Sequence, residues 1–148
     1  MIPTETVAAT VQDFAERSQA DRVVVLVDRG DDRSAAMLEW VDGGLTWTAD
    51  DVTAMVDVLG VPLPLGDLRP PPASAVHVHR EAGELHAPIG AIGHLADALL
   101  DLAAALGGRS VASAEWPTDD PEVPLVLAAR IGEPVVVCLG DDEFEMPI

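Results

Sequence analysis

The chain has 148 residues, 26 Asp and Glu, 8 Arg and no Lys, for a formal net charge of −18. That length suits one domain. The charge opposes binding to nucleic acid or anionic membranes and favours a basic protein partner, cations or plain solubility. No apolar run approaches the ~20 residues needed to cross a bilayer. Residues 1–13 lack a basic region followed by an apolar run, so the expectation is a cytoplasmic protein. Hydrophobic residues make up 49% of the chain, enough for a core. Lys, Asn and Tyr are all absent. Their codons are A/T-rich, which points to a G+C-rich bacterial genome. A halophile would give a similar composition.

Thr4 is a suitable cap for a helix running to about residue 19, with Val7, Val11 and Phe14 on one face. Residues 22–28, Arg-Val-Val-Val-Leu-Val-Asp, are apolar without alternation and read as a strand buried on both faces. Residues 35–41 and 45–48 read as two more strands around Asp42-Gly43-Gly44. A second helix is expected over about 50–59, with Val52, Met55, Val56 and Leu59 on one face and Gly60 as its stop. Residues 61–72 hold five prolines and read as an extended surface connection, or a boundary between two lobes.

A hairpin is expected from 75–79 and 84–87, then a long helix over about 91–106, whose stripe is Ile92, Leu95, Leu99, Leu102 and Leu106. Four strands follow, at 110–115, 125–129, 135–139 and 144–146. The order α-β-β-β-α-β-β-α with a C-terminal β-meander defines an α+β domain: a mainly antiparallel sheet packed against about three helices. In element order alone, its first eight elements resemble the small acidic chaperones that bind secretion effectors. That resemblance implies a chaperone-like function.

The densest cluster of ligand-type residues is on the hairpin. With Arg80 to Gly83 as its loop, His79 would face Glu84 and His77 would face His86. Imidazoles and a carboxylate sharing a face suit a divalent transition metal, so His77, His79, Glu84 and His86 are candidate ligands. The same pattern also describes any hairpin with valines inward and polar residues outward. His94 reads as a decoration of the long helix.

Gly30-Asp31-Asp32, Asp50-Asp51, Asp119-Asp120 and Gly140-Asp141-Asp142 read as turn and cap chemistry. The calcium-loop spacing of alternate acids is absent. Nucleophile-elbow, Walker and dinucleotide-binding motifs are absent too, so no catalytic residue or cofactor is assigned. Cys138, within an apolar run and followed by Asp141, Asp142 and Glu143, reads as a small buried hydrophobe. Trp40, Trp47 and Trp116 read as core, with exposed anchors for a protein partner as the alternative.

Two functions stay open. The leading expectation is a small acidic, non-enzymatic protein-binding module of chaperone-like or toxin-neutralising type. Its partner would be a protein, basic in character, and exposed edge strands would favour a homodimer. The rival is a metal-binding protein or metal-dependent enzyme built on the hairpin. Acidity could also be halophilic or compositional, beside an unrelated small-molecule pocket.

Overall fold

The structure, a computed structural model, describes residues 4–28, 35–49, 52–56, 60–65, 79–81, 84–86, 89–107 and 109–146; at 28, 35, 49, 52–55, 79–81, 84–86 and 89 it describes the backbone alone. Its elements are α1 (Thr4–Ser18), β1 (Arg22–Asp28), β2 (Ala35–Val41), β3 (Gly44–Ala49), β4 (Val52–Met55), β5 (His79–Glu81), β6 (Glu84–His86), α2 (Ile89–Leu106), β7 (Val111–Trp116), β8 (Leu125–Arg130), β9 (Val135–Leu139) and β10 (Asp142–Met146). Eight strands form one antiparallel sheet in the order β10-β9-β8-β7-β1-β2-β3-β4, and β5 and β6 pair separately. The domain is α+β.

Chain connectivity accounts for that order. β1 to β4 form a meander on one side of β1, and β7 to β10 form a second meander on the other. The β1–β7 pairing joins the two halves, with Arg22 opposite Glu115 and Leu26 opposite Val111. The β2–β3 turn is Asp42-Gly43, with φ of 50° and 82°. Two successive positive φ values match the right-handed twist of the flanking strands.

α1 buries Val7, Ala8, Val11, Phe14 and Ala15, the face its spacing predicts. It ends with Gln19 in the left-handed region, φ 60°, and Ala20 N donates to Ala15 O at 3.0 Å. That is a Schellman-type stop with a non-glycine residue at the left-handed position. α2 buries Ile92, Leu95, Leu99, Leu102 and Leu106, its full expected stripe. Both helices lie on the same face of the sheet, α2 over β7 and β8, α1 over β1 and β2. Between them and the sheet sits one core cluster that includes Val23, Val25, Leu38, Ala114, Leu125, Leu127 and Val137.

Residues 60–65 are fastened to α1. Thr10 is fully buried; its hydroxyl donates to Thr6 O at 2.7 Å and accepts from Leu63 N at 2.9 Å. Leu65 is buried in the core cluster. The remaining proline-rich residues, 66–72, lie outside the described residues.

Two expectations need correction. The helix over 50–59 does not form: residues 52–55 are strand β4, paired with β3 from Thr46–Met55 to Ala49–Val52. Val56 N continues that pairing with a bond to Leu45 O at 3.2 Å. Val52 and Thr53 are β-branched, and extending an existing meander satisfies their backbone at once. Only two helices are therefore found among the described residues. With a strand in the fifth place, the order shared with the secretion chaperones no longer holds.

β1 is also not buried on both faces. Val23, Val25 and Val27 are buried, but Val24 is half-buried and Leu26 is 42% exposed. Helices cover one face of the sheet, and among the described residues nothing covers the other.

Candidate functional site

The uncovered face follows from strand parity and register. Three rows of side chains cross its six central strands. One runs Cys138, Val126, Glu115, Arg22, Val41 and Gly44; the next runs Val136, Ala128, Ser113, Val24, Glu39 and Thr46; the third runs Arg130, Val111, Leu26, Met37 and Thr48. An antiparallel sheet with one solvated face normally alternates apolar inward and polar outward. Here more than half of the outward side chains are apolar as well. Leu26, Met37 and Val41 are 42%, 36% and 39% exposed, and Val24, Val111, Val126 and Val136 are half-buried by their strand neighbours.

The charges on these rows are two arginines and two glutamates, so the face is neutral and the net −18 is carried by the rest of the chain. Arg22 donates from Nε, at 2.9 Å, and from Nη2 to the same Oε2 of Glu39. Glu115, opposite Arg22 on β7, has no ion-pair partner among the described residues, nor has Arg130.

The face is shallow. A depression of about 40 Å³ lies at its centre, lined by Arg22, Val24, Ser113, Ala114, Glu115 and Val126. Small-molecule sites usually need roughly 300–1,000 Å³, so this one has room for little more than water. A second hollow, of about 440 Å³, lies between Pro64 and Leu65 and the α2 residues Asp101, Ala104 and Ala105. It is large enough, but among its described lining residues Asp101 is the sole polar side chain. A carboxylate without a second group has no acid–base or metal partner there.

Trp40, Trp47 and Trp116 all point to the helix-covered side and are 8%, 9% and 2% exposed. Trp116 Nε1 donates to Ser18 O at 3.0 Å, and its ring meets Phe14 edge-on at 6.2 Å. Trp40 Nε1 has no hydrogen-bond partner among the described residues. As folded, the three rings belong to the core.

His77 lies outside the described residues, and for His79, Glu84 and His86 the structure gives the backbone pairing alone. That pairing differs from the expected one: two residues, Ala82 and Gly83, separate the strands instead of four. His79 therefore stands opposite His86, and Glu81 opposite Glu84. Among the described residues no group of three or more His, Cys, Asp or Glu side chains could hold a metal ion. His94 is exposed on α2. Of the acidic pairs, Asp31-Asp32 and Asp50-Asp51 lie outside the described residues, and Asp141 and Asp142 are exposed at the β9–β10 turn.

Cys138 is half-buried on the open face, next to Val126 and Glu143, rather than in the core as expected. Its neighbours Val137 and Leu139 take the inward positions, which leaves it the outward one.

Sequence reasoning did not identify the open face, although its signal was present. The unbroken apolar run 22–28 reads as a strand buried on both sides within the chain. Among the described residues two helices cover one side only, and nothing covers the second apolar side. Among the described residues no helix is long and apolar enough to cross a membrane. No family model matches the chain, and no curated protein or solved structure is significantly similar to it.

Proposed function

We propose that the chain is a non-enzymatic protein-binding module that works through the uncovered face of its sheet. A single observation carries this reading. A contiguous face of six strands is more than half apolar, neutral over those strands within an otherwise acidic molecule, and not covered by any of the described residues. Exposed apolar patches of more than a few hundred Å² on a soluble domain usually mark contact with another protein. The shallow relief favours a flat macromolecular partner over a small substrate. The acidic remainder favours partners of net positive charge by long-range attraction.

Leu26→Glu tests the reading. The wild-type protein and the variant are compared as bait for proteins of the native organism's lysate. A protein held by wild type and released from the folded variant supports the reading; equal capture by both overturns the assignment to this face.

A second reading has its own observation, the direct opposition of His79 and His86, with Glu81 opposite Glu84, on the β5–β6 hairpin. Under it the hairpin binds a divalent transition metal through imidazole and carboxylate. Metal analysis of untagged protein, with His79→Ala as control, decides it. Metal-free wild-type protein after purification in added zinc excludes it.

A further inference from the structure

We infer that the occupant of the open face is a second copy of this chain, packed sheet against sheet about a two-fold axis. The inference rests on reading the face as a protein contact, and it names what makes that contact. Three observations support it.

Charge comes first. Two copies of a −18 chain repel each other over most of their surfaces. The rows on the six central strands of the open face are neutral, with Arg22 and Arg130 balancing Glu39 and Glu115, while Glu143 and Glu145 stand at the margin on β10. They form a surface on which two copies can meet without stacking like charge on like.

Self-complementarity is the second. A two-fold interface places the same patch on both sides, so residue i meets residue j while j meets i. Run the axis along the β1–β7 seam and each strand faces its mirror across that seam. Glu115 then faces Arg22 of the other copy, which keeps N–H donors beyond the two it gives Glu39. Leu26 faces Val111 of the other copy, and Val41 faces Val126. The same operation meets both apolar matches and Glu115, which has no ion-pair partner among the described residues; Arg130 falls opposite Met37 of the other copy, where its aliphatic stem can pack and its guanidinium reach the rim.

Area is the third. Six strands at about 4.8 Å spacing and some five residues at about 3.3 Å give a face near 25–30 Å by 17–20 Å. That is roughly 500 Å² in projection for each copy, and more in accessible area because side chains roughen it. The two copies together reach about 1,000–1,500 Å², the lower to middle part of the range for specific complexes. The outer edge strand is a poorer alternative, because β10 carries Asp142, Glu143 and Glu145.

Sedimentation velocity from about 5 to 500 µM, the range suited to an interface of this modest size, is the test. The expected result is a species of twice the 15.5 kDa chain mass. Its dissociation constant should fall as salt is raised from about 0.05 to 0.5 M, because screening weakens repulsion between like-charged copies. Leu26→Glu enters a two-fold interface twice and should weaken dimerisation at least about a hundredfold. Val41→Glu should act in the same direction. Ile131→Glu, at an equally exposed position in the β8–β9 turn, should leave the dimer intact.

A 15.5 kDa species throughout the range overturns the inference. So does a dimer that survives both Leu26→Glu and Val41→Glu with unchanged circular dichroism. A monomeric wild-type protein that still captures a partner, and loses it on Leu26→Glu, would refute self-association while leaving the binding-module reading in place.

Discussion

Gly60 sits where a side chain cannot be accommodated. A Cβ built on it would lie 2.7 Å from both C and O of Glu5 and 2.9 Å from N of Thr6. Carbon atoms in contact prefer about 3.5–4.0 Å, so the overlap approaches 1 Å. The opposing atoms are backbone in the first turn of α1, with no rotamer to change. Gly60→Ala must therefore push residues 60–65 outward by roughly the overlap. Three residues on, Leu63 N holds Thr10 Oγ1 at 2.9 Å. A shift of that size takes the bond past the ~3.2 Å limit of good geometry. Overpacking of this kind costs about 1–3 kcal/mol. Loss of the hydrogen bond adds about 1 kcal/mol, for about 3 kcal/mol in all. The urea slope of a small domain is about 1–3 kcal/mol per molar, so the midpoint should fall by about 1–3 M. The assay is equilibrium urea unfolding followed by tryptophan fluorescence, at one fixed protein concentration so that any dimer contributes equally. A double-mutant cycle with Thr10→Val refines it. Both changes remove the same bond, so the double variant should lose about 1 kcal/mol less than the sum of the singles. A midpoint for Gly60→Ala within about 0.2 M of wild type would refute the packing account; strict additivity would refute the coupling to Thr10.

Three further outcomes are expected. Trp116→Phe, which loses the bond from Nε1 to Ser18 O, should cost about 1–3 kcal/mol. Trp40→Phe, which removes a buried donor lacking a partner among the described residues, should cost less; the reverse ranking in urea midpoints would contradict the hydrogen-bond assignment. Gln19→Gly relieves a left-handed residue, φ 60°, worth about 1–2 kcal/mol. It gives back roughly 0.5–1 kcal/mol in unfolded-state entropy, so thermal unfolding should show a gain of up to about 1 kcal/mol. A measured loss would point to an unrecognised contact of the Gln19 side chain. The melting temperature should rise between about 0.05 and 1 M salt as screening relieves self-repulsion in a −18 chain; a flat response would show that the acids are too dispersed to strain the fold.

Strand existence was legible because the turn chemistry is strong. β1, β2 and β9 have the bounds expected from their apolar runs and the flanking Gly and Asp residues. α1 and α2 were legible from helical spacing. The short apolar set Val52, Met55, Val56 and Leu59 has helical spacing, but four positions are too few to outweigh a ready strand partner. What separates the two cases is tertiary: an adjacent β3 edge offers Val52 and Thr53 a ladder. Gly60 was read as a helix stop. Its glycine is instead required by the close approach of α1, a contact between segments some 55 residues apart that no local pattern encodes. The hairpin pairing was missed for a similar reason. A two-residue loop in place of four shifts the partner of His79 from Glu84 to His86, and loop length cannot be read where Gly83 is the only turn residue between the strands.

The open face and the acidity belong to one physical design. A domain whose sheet is apolar on both sides, with helices for only one, would be exposed to indiscriminate association through the uncovered side. A surrounding charge of −18 opposes contact between like copies and would oppose it least where two neutral faces meet. On the proposed two-fold, Glu115 and Arg22 would set the orientation. A rotated or slipped encounter would take Glu115 away from Arg22 of the other copy and set it against an apolar side chain, at the cost of desolvating a carboxylate. The proposed two-fold about the β1–β7 seam would give Glu115 an arginine partner, which it does not have among the described residues. Apolar area supplies the attraction and net charge limits the partners. A single arginine–glutamate arrangement selects the geometry, which is why the face is best understood with its few charges rather than as a bare hydrophobic patch.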